Sequence, residues 1–306
     1  MLLGSLFTGI GGFCQGFDGI AETAWANELD KYAVETFRYN NSARCIHRDV
    51  RQLSVAEDGL CDVDIITGGF PCQSFSAIGR REGINDPRGQ LFKQVIRIVS
   101  EMKTPPAFVI LENVKGILRS PVCKLLIRDF EALGYRVHSK VLNTYSYTLI
   151  PQNRERVFFV MTRGQRFFWP EVTDWRKRHY AWDLLDTDRA APCIYYLKPT
   201  SKYYHMYKNA INGNYIYNFA YGCIVKSALN LCPTLRATSI GGHHGPCIKD
   251  AWGIRCLTPA ECSRFQGFRG KFPPMMPNTQ RYKQLGNSVT VDLIRRLAVA
   301  VAEVSA

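Results

Sequence analysis

No Cys-x-x-Cys pair occurs anywhere in the chain, although it carries 11 cysteines. Scattered thiols in odd number exclude a simple disulfide framework and a zinc ribbon, so most are expected to be reduced and buried. His243 and His244, in GGHHG, lack a second ligand set at metal spacing, and no metal site is expected. No stretch approaches the roughly 20 apolar residues needed to cross a bilayer. MLLGSLFTGIGGF has no basic leader ahead of an apolar run and a cleavage site, so no secretory signal is expected. Internal repeats and low-complexity linkers are missing too. Acid is scarce relative to base: 26 Asp plus Glu stand against 39 Lys plus Arg, a formal net charge of +13. Such an excess suits a polyanion whose condensed counterions are released on binding, although a solvated basic surface would look the same.

What remains is an ordinary globular composition, 46% hydrophobic and 21% charged over 306 residues, long enough for one large domain or two smaller ones. The first half alternates short apolar runs with amphipathic ones. LLGSLF, AETAWANE, VDIITGGF, AFVILENV, YRVHSKVLN and RVFFVMT read as strands, several nearly continuous in apolar residues, as in a sheet covered on both faces. KYAVETFRYN, GQLFKQVIRIVSEM and CKLLIRDFEALG read as helices between them, the last stopping at Gly134. This alternation predicts a parallel α/β sheet. After about residue 172 helical periodicity fades, and eight of the 15 tyrosines fall between 195 and 221. YYLKPTSKYYHMYK is either a tyrosine-rich core or a nucleic-acid contact surface. Helix signals return in LTPAECSRFQGF and VTVDLIRRLAVAVAEV. The expected domains are therefore 1–172, 173–256 and a returning segment, 257–306.

Several strand ends carry chemistry. FTGIGGF (7–13) follows the first strand, and its glycines permit a tight turn and close approach of a ligand, without forming a full G-x-G-x-x-G fingerprint. Glu28 lies 16 residues beyond Gly12, where an acid can accept bonds from ribose hydroxyls, and Asp49 follows a presumed third strand. No phosphate loop is present, so an adenosine-containing cofactor is suggested, with a purely structural turn as the alternative. VDIITGGFPC then feeds a buried strand into a corner bearing Cys72, a position that suits a nucleophile better than a structural thiol. AFVILENV delivers Glu112 to what should be the same rim, because ligands bind beyond the carboxyl ends of such strands. In QNRERVFFV, Arg154 and Arg156 are alternate residues expected on one face. A thiolate can add to carbon 6 of cytosine if an acid such as Glu112 protonates nitrogen 3; carbon 5 then becomes methyl-accepting.

The ordered set FTGIGGF, NELDKYA, GGFPCQSFS, ENV, QNRERVF and QLGNSV resembles the DNA (cytosine-5) methyltransferase family, from residue 5 to about 291. The resemblance implies a Rossmann-like doubly wound α/β methyltransferase sheet with a second, smaller target-recognition domain. It implies S-adenosylmethionine as cofactor, lined by Phe7, Gly9, Gly11, Gly12 and Pro71, with Glu28 on the ribose and Asp49 facing the adenine. Asn287 and Ser288 would close that site. Cys72 matches the nucleophile, Glu112 the acid, and Arg154 and Arg156 the pair near the target base. Gln73, Ser76 and Arg88 match a loop that closes over a flipped-out nucleotide. Two positions depart: Ser5 stands where the family commonly has an acid, and Leu29 where an aromatic or branched residue covers the adenine. The implied partner is double-stranded DNA. A monomeric cytoplasmic enzyme of bacterial or phage type is expected, free of membranes and acting alone or beside a restriction endonuclease. Two further functions remain open: methylation of cytosine in transfer RNA, and DNA binding by a regulator without catalysis. The intact Cys72, Glu112 and Arg156 speak against the latter, since binding alone does not require them.

Overall fold

The computed structural model describes residues 1–71, 91–174, 180–211, 213–220, 222–227, 230–237 and 245–305. The chain divides into two compact units: residues 1–142, 155–170 and 294–306 form the first, and residues 143–154 and 171–293 the second. Residues 257–293 fall in the second unit, and Ile294 onward in the first.

The first unit is built on a seven-stranded sheet. In chain order it contains β1 (Leu2–Leu6), α1 (Gly12–Phe17), β2 (Glu22–Glu28), α2 (Lys31–Asn40), β3 (Arg44–His47), β4 (Ile65–Gly68), α3 (Phe92–Glu101), β5 (Phe108–Asn113), α4 (Pro121–Ala132), most of β6 (Arg136–Asn143) and β8 (Glu155–Thr162). Sheet order is β3-β2-β1-β4-β5-β8-β6. Winding outward from β1 in both directions puts a topological switch point between β1 and β4, where doubly wound sheets bind ligands. The apolar runs behave as expected for a doubly covered sheet: every residue of β4 and β5 is buried. Caps set the helix starts. Asp30 accepts from the amides of Tyr32 and Ala33 ahead of α2, and Ser120 from Val122 ahead of α4, with Pro121 at the first helical position.

The sheet departs from the all-parallel expectation at β8. β1 through β5 pair in parallel, but β8 runs antiparallel to β5, with Glu112 opposite Phe158 and Asn113 opposite Val157. Parallel strands need a crossover of a dozen or more residues, usually helical. Residues 144–154 hold only α5 (Thr144–Tyr147) and the two-residue β7 (Gln152–Asn153) between β6 and β8.

The second unit holds α6 (Lys202–Ala210), β9 (Tyr217–Ala220), β10 (Cys223–Lys226), β11 (Cys232–Pro233), β12 (Cys247–Asp250), β13 (Gly253–Cys256), α7 (Pro259–Gln266), α8 (Asn278–Asn287) and the start of α9 (Val291–Glu303). A four-stranded sheet, β10-β9-β12-β13, packs on a core of Tyr207, Tyr217, Cys247, Ile254 and Cys256. Tyr207 and Tyr217 are fully buried, so part of the tyrosine-rich stretch is core. Helices α6 and α8 were not legible as periodic patterns; α6 is nucleated by Ser201, whose side chain accepts from the Tyr203 amide. Buried Arg255 on β13 bonds Asp250 Oδ2 at 2.7 Å and both oxygens of Glu261 at 2.8 and 2.9 Å. The hydrogen bonds and charges of Glu261 and Asp250 outweigh the cost of burial and push the guanidinium pKa up.

The described cysteines are free thiols, seven of them buried and Cys61, Cys193 and Cys223 exposed. Among the described residues, no helix is long and apolar enough to cross a membrane. His243 and His244 lie outside the described residues.

Candidate active site

Strand register brings the sequence motifs of the first unit to one rim. Leu6 pairs with Gly68 across β1 and β4, and Gly68 with Leu111 across β4 and β5. The turn after β1, the Gly69–Pro71 segment after β4 and Glu112 on β5 therefore follow one another along the carboxyl edge, at the switch point. Glu28, paired with His47 at the end of β2, extends the row on the other side.

The turn after β1 is strained. Phe7 has φ +50°, a left-handed conformation that a bulky side chain rarely adopts, and Gly9 and Gly11 follow at +57° and +90°. Bonds underneath hold it: the Thr8 amide donates to Asn27 O at 3.0 Å, and the Gly11 amide to Thr8 O at 3.0 Å. Ser5 is fully buried and its hydroxyl donates to Thr8 Oγ1 at 3.0 Å, while Thr67 Oγ1 donates to Ser5. The serine that replaces the family's acid is thus a support beneath the turn. Strain of this kind, over-determined by its surroundings, clusters at ligand sites.

Glu28 accepts three backbone bonds: Gly9 N–H on Oε2 at 2.8 Å, and Leu29 and Asp30 N–H on Oε1 at 2.8 and 2.9 Å. It fixes the glycine turn to the start of α2. Leu29 beyond it is 60% exposed, and its carbonyl bonds His47 Nε2 at 2.9 Å. The Asp49 side chain caps the Arg51 amide and is gripped by the Arg51 guanidinium; those hydrogen bonds hold its carboxyl below the usual range.

At the end of β5, Glu112 Oε1 lies 2.9 Å from Arg156 Nε. Both side chains are mostly enclosed, at 12% and 17% exposure, where solvent screens a charge pair less than at the surface. Next to them, Asn113 Nδ2 donates to Phe70 O at 3.1 Å. That bond anchors the backbone two residues before Cys72. Cys72, Gln73, Ser76 and Arg88 lie outside the described residues.

Arg154 does not share the environment of Arg156. It belongs to the second unit, is 3% exposed, and bonds the carbonyls of Leu235 at 2.9 Å, Gly286 at 3.3 Å and Ser288 at 2.6 Å. β8 begins only at Glu155, so the two-residue period expected of these arginines does not reach back to Arg154. Asn287, exposed, and Ser288, which caps α8, are in the second unit as well. Asn27, Asn113 and Leu235 had not been singled out from the sequence as site residues. The signal for Asn27 and Asn113 was a polar residue beside the strand-ending acid; Leu235 carried none, because only its backbone takes part.

The chain matches the C-5 cytosine-specific DNA methylase family over residues 1–303. It belongs to that family. It is similar to the Type II methyltransferase M.Bsp6I of Bacillus sp. (strain RFL6), with 36% identity over 314 residues covering 97% of this chain and 96% of the relative. It is likewise similar to M.FnuDI of Fusobacterium nucleatum, with 34% identity covering 99% and 94%. Among solved structures, Dnmt2 methyltransferase of S. pombe superposes with a TM-score of 0.77 at 18% identity, over 99% of this chain and 98% of that one. A putative DNA modification methyltransferase from an E. coli prophage gives 0.70 at 20% identity, over 100% and 99%. Those two likenesses establish the fold. Membership establishes the enzyme class, DNA cytosine-5 methyltransferase.

Proposed function

We propose that this methyltransferase takes the methyl group of S-adenosylmethionine to carbon 5 of a cytosine flipped out of a specific short double-stranded DNA sequence, through a covalent adduct with Cys72. The Glu112–Arg156 pair carries the reading, standing at the strand end beside the Asn113-anchored segment that leads into Cys72. The turn after β1 supports the cofactor. At Gly9 nothing among the described residues lies within 4 Å of where a Cβ would stand, and the Glu28 carboxylate sits at the turn's amide. Phe7, Gly11, Gly12 and Pro71 would line that site, Asp49 would face the adenine, and Asn287 and Ser288 would complete it. When bound, S-adenosylmethionine supplies an electrophilic methyl.

The rest falls to protein and base. Cys72 Sγ bonds to carbon 6 as its thiolate, and Glu112 gives a proton to nitrogen 3, so the displaced electron pair becomes available at carbon 5. Carbon 5 takes the methyl. Loss of the carbon 5 proton to a base restores the double bond and expels the thiolate, while nitrogen 3 returns its proton. Arg156 holds the Glu112 carboxyl in place and adds positive charge near the base. Flipping the base costs a few kcal/mol, recovered in pocket and backbone contacts by Gln73, Ser76 and Arg88. The recognition contacts fall to the second unit, and the Type II relatives suggest a companion restriction endonuclease.

The test is transfer of labelled methyl from S-adenosylmethionine to unmethylated genomic DNA and to transfer RNA in parallel, with Cys72→Ala as control. Label at one recurrent short DNA sequence, abolished in the variant, is the expected result. Label in RNA alone would replace the substrate, and label in neither would favour a DNA-binding protein without catalysis. Glu28→Ala should weaken S-adenosylmethionine about 10- to 100-fold by calorimetry, the worth of a hydrogen bond to a charged group. Unchanged affinity would remove Glu28 from the ribose.

A further inference from the structure

Three chain segments far apart in sequence meet at Arg154. Residues 151–154 are zipped to residues 232–235: Cys232 pairs with Gln152 and Pro233 with Asn153, and Thr234 Oγ1 donates to Asn153 O at 2.7 Å. The third segment is the end of α8. A Cβ on Gly286 would collide with the Ala237 backbone, so residue 286 lies backbone to backbone against residues 236 and 237. The Arg154 guanidinium closes this junction. One nitrogen, Nη1, takes Leu235 O; the other, Nη2, takes Gly286 O and Ser288 O, one on each side of exposed Asn287.

We propose that Arg154 is a positioning residue: it sets the backbone that presents Asn287 and the backbone at Leu235, and does not act on the target base. This rests on the function proposed above, in which Asn287 serves the cofactor and the second unit the DNA. A planar fork of fixed geometry holds its acceptors at set spacings and directions from two nitrogens; an ammonium has three donors but fans them from one point. Bonds between a charged donor and buried carbonyls are the strong kind, and losing them leaves acceptors unpaired.

The measurements are the Kd for S-adenosylmethionine by calorimetry, the Kd for target DNA by anisotropy, and kcat, on Arg154→Lys, Arg154→Met, Asn287→Ala and Arg154→Lys/Asn287→Ala. Arg154→Lys is expected to weaken both affinities roughly tenfold, with Arg154→Met weaker still, while kcat at saturation falls less than about threefold. The effects of Arg154→Lys and Asn287→Ala on cofactor affinity should be sub-additive, as for residues acting through one another. Additive effects, or a kcat loss with both affinities kept, would overturn the proposal and return Arg154 to the base. If Arg154→Met does not fold, the lysine variant alone decides. A wild type that methylates no DNA would sink the function itself, leaving the binding cycle on the cofactor to judge Arg154.

Discussion

Glu112→Gln lowers kcat on target DNA by about 100-fold or more, with the Kd for DNA changed less than about threefold. Glutamine keeps the size of the side chain and one hydrogen-bond donor, but it has no proton to give to nitrogen 3. The activation of carbon 6 toward the thiolate is therefore lost, while ground-state contacts are kept. General acid catalysis is typically worth 10² to 10⁴ in rate, which fixes the scale. The partner test uses an oligonucleotide with 5-fluorocytosine at the target. Fluorine cannot leave as a proton does, so the adduct with Cys72 persists and can be mapped by mass. Glu112→Gln should accumulate that adduct far more slowly, and Cys72→Ala never. Wild-type turnover by Glu112→Gln at saturating substrates would reduce Glu112 to a support for Arg156, the residue 2.9 Å away.

Much of this site could be read from the chain because its chemistry sits where strands end. Within VDIITGG and AFVILEN the apolar stretch is nearly continuous, so the glycine pair or first polar residue that ends it marks the rim of the sheet. β4 and β5 end within a residue of those points. Direction was harder to read. β8 has the same continuous apolar character as β5, yet it runs antiparallel to it, since pairing direction depends on the connection and not on strand composition. The spacing of Arg154 and Arg156 predicts one shared face, and the family resemblance implies a pair near the target base. The strand boundary at Glu155 separates them, one reaching a carboxylate and the other three carbonyls. Backbone acceptors leave no trace in a sequence, so the junction around Arg154 was invisible there. The second unit was the least legible. The cluster under its sheet includes Tyr207, Tyr217 and Cys247 and comes from no long apolar run, and its helices α6 and α8 are rich in polar residues.

The second unit buries a charge cluster, and Arg255→Met should destabilise it by about 3–5 kcal/mol. Arg255, Asp250 and Glu261 side chains are fully enclosed. Methionine matches the aliphatic stem of arginine, so little packing is lost; what changes is that two carboxylates stay buried without their cation. Their remaining donors are not enough to replace it: Asp250 keeps the Tyr196 hydroxyl and the Trp252 and Gly253 amides, and Glu261 keeps the Asp186 and Thr258 amides. Against a typical total stability of 5–15 kcal/mol the loss is large. At about 2–4 °C per kcal/mol for a unit of this size, Tm should fall by roughly 6 to 20 °C. The triple variant Arg255→Met/Asp250→Asn/Glu261→Gln removes the stranded charges, and it should recover part of that loss. A single variant as stable as the wild type would mean that the cluster relaxes or takes up water. A triple variant less stable than the single would mean that the neutral amides fail to satisfy the donors that the carboxylates held.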